Sequence, residues 1–357
     1  MKKIVGIIFG GKSTEHEISI LSARNVFKNM DKEIYNPFLI FIDKEGNWYK
    51  AEESNLFSDN VIPEMYNRLS LILDASGFYF SEYKKDEPVV KPDVVFPVLH
   101  GPNGEDGSIQ GMFEVAGIPY VGPGIAGSSV SMDKLLAKRL LKEAGLNIAR
   151  YVFLNKYTDT DINYNRIIKQ LGLPLVVKPS RAGSSVGISK VKNVEELKIA
   201  INFAFTFDSK ILVEEYIKGR EIEVAVLGND TLLASTPGEI VTEFYDYKEK
   251  YSKESKTRLD APAKLKKKVT RQIKEAALKA FMALDCEGMS RVDFFLTTEK
   301  LIVNEINTIP GFTNISMYPR LFELEGISQR ELITRLIELA IDRHQKNRKL
   351  KHSLEIQ

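Results

Sequence analysis

Residues 3–9, Lys-Ile-Val-Gly-Ile-Ile-Phe, are apolar at every position after the first and run straight into Gly10-Gly11. A run of that length reads as a buried strand. Ser13 or Thr14 is a natural N-cap for the amphipathic pattern that begins near Glu15 and sets Ile18, Leu21, Ser22 and Val26 on one face. Further strands are expected at residues 35–42 and 93–99, the second ending in His100-Gly-Pro-Asn-Gly-Glu-Asp-Gly107. Strand–loop–helix alternation of this kind belongs to α/β folds, whose ligands sit beyond the carboxyl ends of the strands.

The same opening also spells a P-loop, Gly6-Ile-Ile-Phe-Gly-Gly11-Lys12-Ser13. The physics opposes that reading. Ile7, Ile8 and Phe9 are the apolar centre of the strand, and a phosphate-wrapping loop there would leave residues 3–5 alone as strand. Glu15 and Glu17 would bring negative charge to the helix start, where phosphates bind. Nucleotide is therefore expected elsewhere in the chain.

A second unit is expected from about Val121, with Pro123-Gly124 as hinge. It holds a helix over residues 134–144 and strands over 175–178, 188–191, 211–215 and 221–227. Residues 238–262 lack a clean period and are rich in Tyr, Lys and Glu, as a long functional loop would be. A helix resumes from Lys264, followed by strands over 290–296 and 301–305 and a last helix over 329–344. At 357 residues the chain suits two or three compact domains. A net charge of +2 gives no strong pull toward nucleic acid or membrane, and no stretch approaches the ~20 apolar residues of a membrane span. The N-terminal apolar run lacks a cleavage site, so the expected compartment is the cytoplasm. Lone Cys286 reads as core filler, and the four histidines show no metal-ligand spacing.

Three segments carry chemistry. In Arg291-Val-Asp293 and Asn304-Glu305-Ile-Asn307, alternation puts Arg291 and Asp293 on one face and Glu305 and Asn307 on one face. An antiparallel hairpin turning near residues 297–300 would merge them into a patch of two carboxylates, an amide and a guanidinium. Such acids and amides suit Mg²⁺, and Arg291 suits a developing anion. The bland alternative is a solvated face of cross-strand ion pairs. Lys178-Pro-Ser-Arg-Ala-Gly-Ser-Ser-Val-Gly187 ends a strand in a lysine and opens into a Gly/Ser turn, a candidate phosphate cradle or a plain hairpin connection. Val213-Glu-Glu-Tyr-Ile217 with Gly219-Arg-Glu221 offers acids at a strand edge that could face adenine and ribose.

Together these segments resemble the ATP-grasp superfamily and, within it, the D-alanine–D-alanine ligases. Gly10-Gly-Lys-Ser-Thr-Glu15-His-Glu-Ile-Ser19, Met132-Asp-Lys134, Phe244-Tyr-Asp-Tyr-Lys-Glu-Lys-Tyr251 and the run from Asn304 to Ser316 complete the match, which spans nearly the whole chain. The resemblance implies an α/β (α+β ATP-grasp) fold of three domains. These would be an N-terminal parallel-sheet domain (1–122) and two that clamp ATP (123–218 and 219–346), with a lid at 238–262 and a tail at 347–357. It implies ATP and D-alanine as substrates, two Mg²⁺ ions (or Mn²⁺) on Asp293, Glu305 and Asn307, and a homodimer. Lys134, Lys178, Ser184 and Lys250 would meet the ATP phosphates. Glu214, Tyr216 and Ile217 would line the adenine pocket, and Glu221 the ribose. Glu15 would hold the first D-alanine's ammonium, near His100, and form a latch with Ser184 and Tyr251. Arg291 and the Gly311 N–H would stabilise the tetrahedral intermediate, and Ser316 would hold the second carboxylate beside the apolar wall of Met317. D-Serine or D-lactate as second substrate is the alternative.

Overall fold

A computed structural model describes residues 1–58, 67–74, 77–85, 88–184, 186–241 and 258–351. The opening strand β1 (Lys3–Gly10) leads to helix α1 (His16–Asn29), strands β2 (Tyr35–Ile42) and β3 (Trp48–Ala51), and the short helix α2 (Glu53–Phe57). An antiparallel sheet absent from the sequence reading follows: β4 (Leu69–Asp74), β5 (Gly77–Glu82) and β6 (Pro88–Val90). Strand β7 (Val94–Pro97) and helix α3 (Ser108–Ala116) close the segment. The first sheet has the order β3-β2-β1-β7, with β1 parallel to both β2 and β7. Its unbroken apolar run follows from burial on both faces. Val5, Ile7 and Phe9 pack under α1 and the last helix, while Ile8, Ile40 and Val95 meet Phe80 and Phe113 on the other side.

Helix α4 (Ile125–Met132) and α5 (Lys134–Glu143) precede a second, antiparallel sheet of order β10-β9-β11-β8. Its strands are β8 (Tyr151–Asn155), β9 (Leu175–Pro179), β10 (Ser189–Val191) and β11 (Lys210–Glu215). Helices α6 (Tyr164–Leu171) and α7 (Val194–Ala204) back it. Strand β11 lies between β9 and β8, so the acids of 214–215 sit on an interior strand and not on the edge expected from sequence.

The third sheet runs β15-β14-β12-β16-β17, all antiparallel, with β13 (Leu233–Ala234) pairing β12. Its strands are β12 (Arg220–Gly228), β14 (Gly238–Val241), β15 (Arg258–Asp260), β16 (Gly288–Leu296) and β17 (Leu301–Asn307). The two ends of the expected 238–262 loop are thus paired strands, β14 and β15. Alternation divides the sheet cleanly. Ile222, Val224, Val226, Val292 and Ile306 pack on helix α8 (Lys267–Ala283), while Glu223, Arg291, Asp293, Glu305 and Asn307 occupy the alternate positions.

Helices α9 (Met317–Glu323) and α10 (Gln329–Asn347) are the last two helices among the described residues. Arg343 of α10 is buried, and it donates to the carbonyls of Gly122 (2.5 Å) and Tyr120 (2.9 Å) in the segment joining the first sheet to α4. Among the described residues, no helix is long and apolar enough to cross a membrane.

Candidate active site

A cavity of about 920 Å³ opens where α1 and the ends of β7 and β9 face the third sheet and residues 308–317. Ten residues singled out from sequence line it: Glu15, His100, Lys134, Ser184, Arg291, Glu305, Asn307, Gly311, Ser316 and Met317. Residues 15 and 184 are 169 positions apart in sequence, yet the Ser184 hydroxyl donates to the Glu15 carboxylate. Ser184 holds φ at 47°, a strained left-handed conformation for a residue with a side chain. Gly101 and Gly183 flank the carboxylate, and a Cβ at either would lie 2.9 Å from Glu15 Oε2.

The helix start differs from expectation. The cap position is Glu15, and the Ser13 hydroxyl accepts the Glu15 N–H (3.1 Å) while donating to the His100 carbonyl (2.9 Å). Ile18 and Leu21 line the cavity, whereas the face packed on the sheet carries Ser19, Ser22, Ala23, Val26 and Phe27. The buried serines act as braces. Ser19 accepts the Gly10 N–H (2.8 Å) and donates to the Val98 carbonyl. Ser22 accepts the Phe312 N–H (3.1 Å) and meets His100 Nε2 at 3.0 Å, while His100 Nδ1 lies 3.0 Å from the Ile309 carbonyl. A carbonyl can only accept, so Nδ1 carries the proton and Nε2 takes the Ser22 hydroxyl. Burial favours this neutral ring by lowering the His100 pKa, against the pull of the nearby Glu15 charge. His100 thereby ties down both ends of the loop that carries Gly311.

Glu105 was not singled out from sequence, although it lies in the quoted Gly-rich run. It accepts the N–H of Gly101 (2.7 Å) and of Ile309 (3.2 Å). Burial, and then the Glu15 charge, push its carboxyl up to about 8. The only sequence signal was an acid inside a tight turn after a strand.

The expected hairpin is present, closed by Thr297 N–H to the Lys300 carbonyl (2.9 Å). Arg291 stands opposite Asn307 and Asp293 opposite Glu305. Arg291 clasps Asp293 through two bonds of 2.7 Å, and Asn307 Nδ2 donates to the same carboxylate at 2.9 Å. A register slip between Asp293 and Phe294 leaves Asn304 without an opposite residue, and its amide oxygen faces Lys178 Nζ at 3.5 Å. Strand β12 adds an acid that sequence reasoning missed, Glu223, in register with Asp293 and 3.1 Å from Arg291 Nε. Three carboxylates thus stand in a row across three strands. Among the described residues no three His, Cys, Asp or Glu side chains form a metal-holding group. The candidate set is two carboxylates and an amide whose donor end is spent on Asp293, leaving its oxygen for a cation; this all-oxygen chemistry fits Mg²⁺.

A lysine cluster lies beside them. Asp133 caps α5 by accepting the N–H groups of Leu135 (3.1 Å) and Leu136 (3.3 Å), which sets Lys134 at the cavity, 3.8 Å from Glu305. Lys178 and Glu214 are buried and outside the cavity lining; Lys178 pairs with Glu214 at 2.9 Å. Glu214 also faces Lys138 at 3.1 Å, a lysine on α5 that sequence reasoning passed over and that is 1% exposed. Burial alone would raise the Glu214 pKa, but the two lysine charges hold it below the usual range. Burial brings Lys138 down to about 8 despite Glu214.

Tyr216, Ile217 and Glu221 also lie outside the cavity lining. Tyr216 is covered by Lys190 Nζ, 3.4 Å from its ring centroid. Lys250 and Tyr251 lie outside the described residues. At the far wall, Ser316 accepts the Thr313 N–H (3.0 Å) and lies 3.0 Å from where a Cβ on Gly311 would stand. Met317 packs its sulfur on Gly238, the first residue of β14.

One cavity therefore combines an anionic end at Glu15 with cations, hard oxygen donors and a Gly-bearing loop. Known proteins resemble this chain in sequence and in fold. Residues 4–123 match the family model "D-ala D-ala ligase N-terminus" and residues 140–338 match "D-ala D-ala ligase C-terminus". A D-alanine–D-alanine ligase from Oceanobacillus iheyensis is 47% identical over 99% of both chains. The structure of the D-alanine-D-alanine ligase from Coxiella burnetii superposes with a TM-score of 0.86 at 38% identity, covering 98% of this chain and 96% of that one. The VanG D-Ala:D-Ser ligase from Enterococcus faecalis gives 0.84 at 38% identity, covering 95% and 100%. By sequence and by fold, the chain belongs to the D-alanine–D-alanine ligase family of ATP-grasp enzymes.

Proposed function

We propose that this chain joins two D-alanines at the expense of ATP, through a D-alanyl phosphate, to supply a peptidoglycan precursor. The observation that carries the reading is the shared cavity, lined together by Glu15, Arg291, Gly311 and Ser316. A carboxylate is a poor electrophile. Transfer of the γ-phosphoryl group to it creates an acyl phosphate, which the second amine attacks; phosphate then leaves and the amine sheds its proton. Glu15 binds the first ammonium, and the Ser184 hydroxyl fixes that carboxylate. Lys134 and Lys178 meet the nucleotide phosphates. The Arg291 guanidinium and Gly311 N–H receive the charge of the tetrahedral intermediate, and Ser316 receives the second carboxylate. Asp293, Glu305 and Asn307 would hold Mg²⁺, which when bound neutralises charge on the phosphates.

We assign the same three domains, 1–122, 123–218 and 219–346, with nucleotide between the last two. The packed helices α3, α4 and α5 expose Val115, Ile125, Leu136 and Leu140, apolar surface that supports a homodimer. The cytoplasm, where ATP is made available, is the matching compartment. A D-serine or D-lactate ligase is the second reading, and the superposition on VanG favours its D-serine form. Against D-serine stands Met317, whose thioether offers no group to a serine hydroxyl. Phosphate release from Mg-ATP with D-alanine, L-alanine, D-serine and D-lactate, alone and paired, tests the assignment, with products identified by mass. D-Alanine alone should suffice; release that requires D-serine or D-lactate would transfer the enzyme to the second reading.

A further inference from the structure

We propose that Glu223 is a positioning residue that competes with Asp293 for Arg291 and so frees Asp293 for a divalent cation. The inference rests on Asp293 as a metal ligand, as read above.

The guanidinium straddles two in-register carboxylates. Its Nε is 2.7 Å from Asp293 Oδ1 and 3.1 Å from Glu223 Oε1, while Nη2 takes Asp293 Oδ2 at 2.7 Å. In this state Arg291 occupies both oxygens of Asp293, a carboxylate on which a hard cation depends. Releasing it would strand a cation in a partly buried site unless a second anion is already in contact. Glu223 is that anion. Its side chain is 5% exposed and fixed in the middle of β12, so it stays beside Nε whether or not Asp293 turns to metal. The residue thus keeps Arg291 in the cavity, where the reaction needs it, while lowering its hold on Asp293. Lys134 stands near Glu305 at 3.8 Å, so Arg291 is the cation that Asp293 exchanges for metal.

The test is Mn²⁺ binding to the full chain in the presence of ADP, followed by the loss of the free-ion EPR signal. Asp293→Asn should weaken binding, and no change there would remove the metal reading itself. With that established, Glu223→Gln should weaken Mn²⁺ about tenfold, the scale of one charge-assisted hydrogen bond. In an Arg291→Met background the same substitution should change nothing, because the competitor is gone. Equal weakening in both backgrounds would show that Glu223 acts by its own charge on the metal, and would overturn the inference. No weakening in either would overturn it as well. Glu223→Asp, one methylene short of the guanidinium, should fall between wild type and Gln, and supplies the readout if the Gln variant does not fold.

Discussion

Ser22→Ala would remove one oxygen atom from the brace between α1 and the 309–312 loop. Ser22 is fully buried, accepting the Phe312 N–H at 3.1 Å and donating to His100 Nε2 at 3.0 Å. Alanine leaves both buried groups unpaired, and an unsatisfied buried polar group costs about 1–3 kcal/mol, so the pair costs about 2–6 kcal/mol. The transferred volume is one hydroxyl, and the cavity contribution is correspondingly small. Urea unfolding should show this loss as a lower midpoint at constant slope. Ligand turnover should respond too, because the released loop carries Gly311. A displacement that forfeits about 1.4 kcal/mol of transition-state contact lowers kcat/KM about tenfold. A variant within about 0.5 kcal/mol of wild type in unfolding, with unchanged kcat/KM, would refute the brace.

Lys138→Met leaves Glu214 to Lys178 alone and draws that ammonium toward the carboxylate. The expected result is a rise of about 3- to 10-fold in KM for ATP with kcat within about twofold, read by steady-state kinetics; a fall in kcat at constant KM would contradict it. Glu105 has its carboxyl raised to about 8 from an ordinary 4.5. The folded state therefore holds its proton longer, so this stabilisation is full below pH ~4.5 and is lost as pH rises through ~8. Glu105→Gln should flatten that part of the stability–pH curve, measured by melting across pH 5–9. Gly183→Ala places a Cβ 2.9 Å from Glu15 Oε2. It should raise KM for the first D-alanine about tenfold or more and leave KM for ATP nearly unchanged.

Sequence was sufficient wherever one short stretch carried its own period. Arg291, Asp293, Glu305 and Asn307 were legible as one patch because strand alternation and a four-residue turn decide it locally. Glu223 was not, because its place beside Asp293 depends on β12 pairing with a strand some 65–70 residues later. Lys138 was passed over for a similar reason. On a helix of alternating lysines and leucines it looks solvated, and only the tertiary fold buries it beside Glu214 of β11. The face of α1 read from sequence, Ile18, Leu21, Ser22 and Val26, divides in the structure between cavity and sheet. The cavity takes Ile18 and Leu21, and the sheet's strand ends take the serines, whose hydroxyls satisfy backbone groups there. The run of residues 3–9 was read correctly as a buried strand, although its second covering layer comes from the far end of the chain.

That covering layer has a consequence for how the chain is made. Val5, Ile7, Phe9 and Phe96 share a core with Leu332, Ile333, Leu336 and Ile337 of α10. Synthesis runs from the N-terminus, and early domains ordinarily fold while the rest is still being added. Here α1 covers part of one apolar face of the first sheet to emerge, and the rest of that face stays bare until residues 332–337 are made. A nascent chain or a nonsense fragment ending before residue 330 would expose that face to chaperones and proteases, and the finished fold would close only when its last helix returned to its first strand.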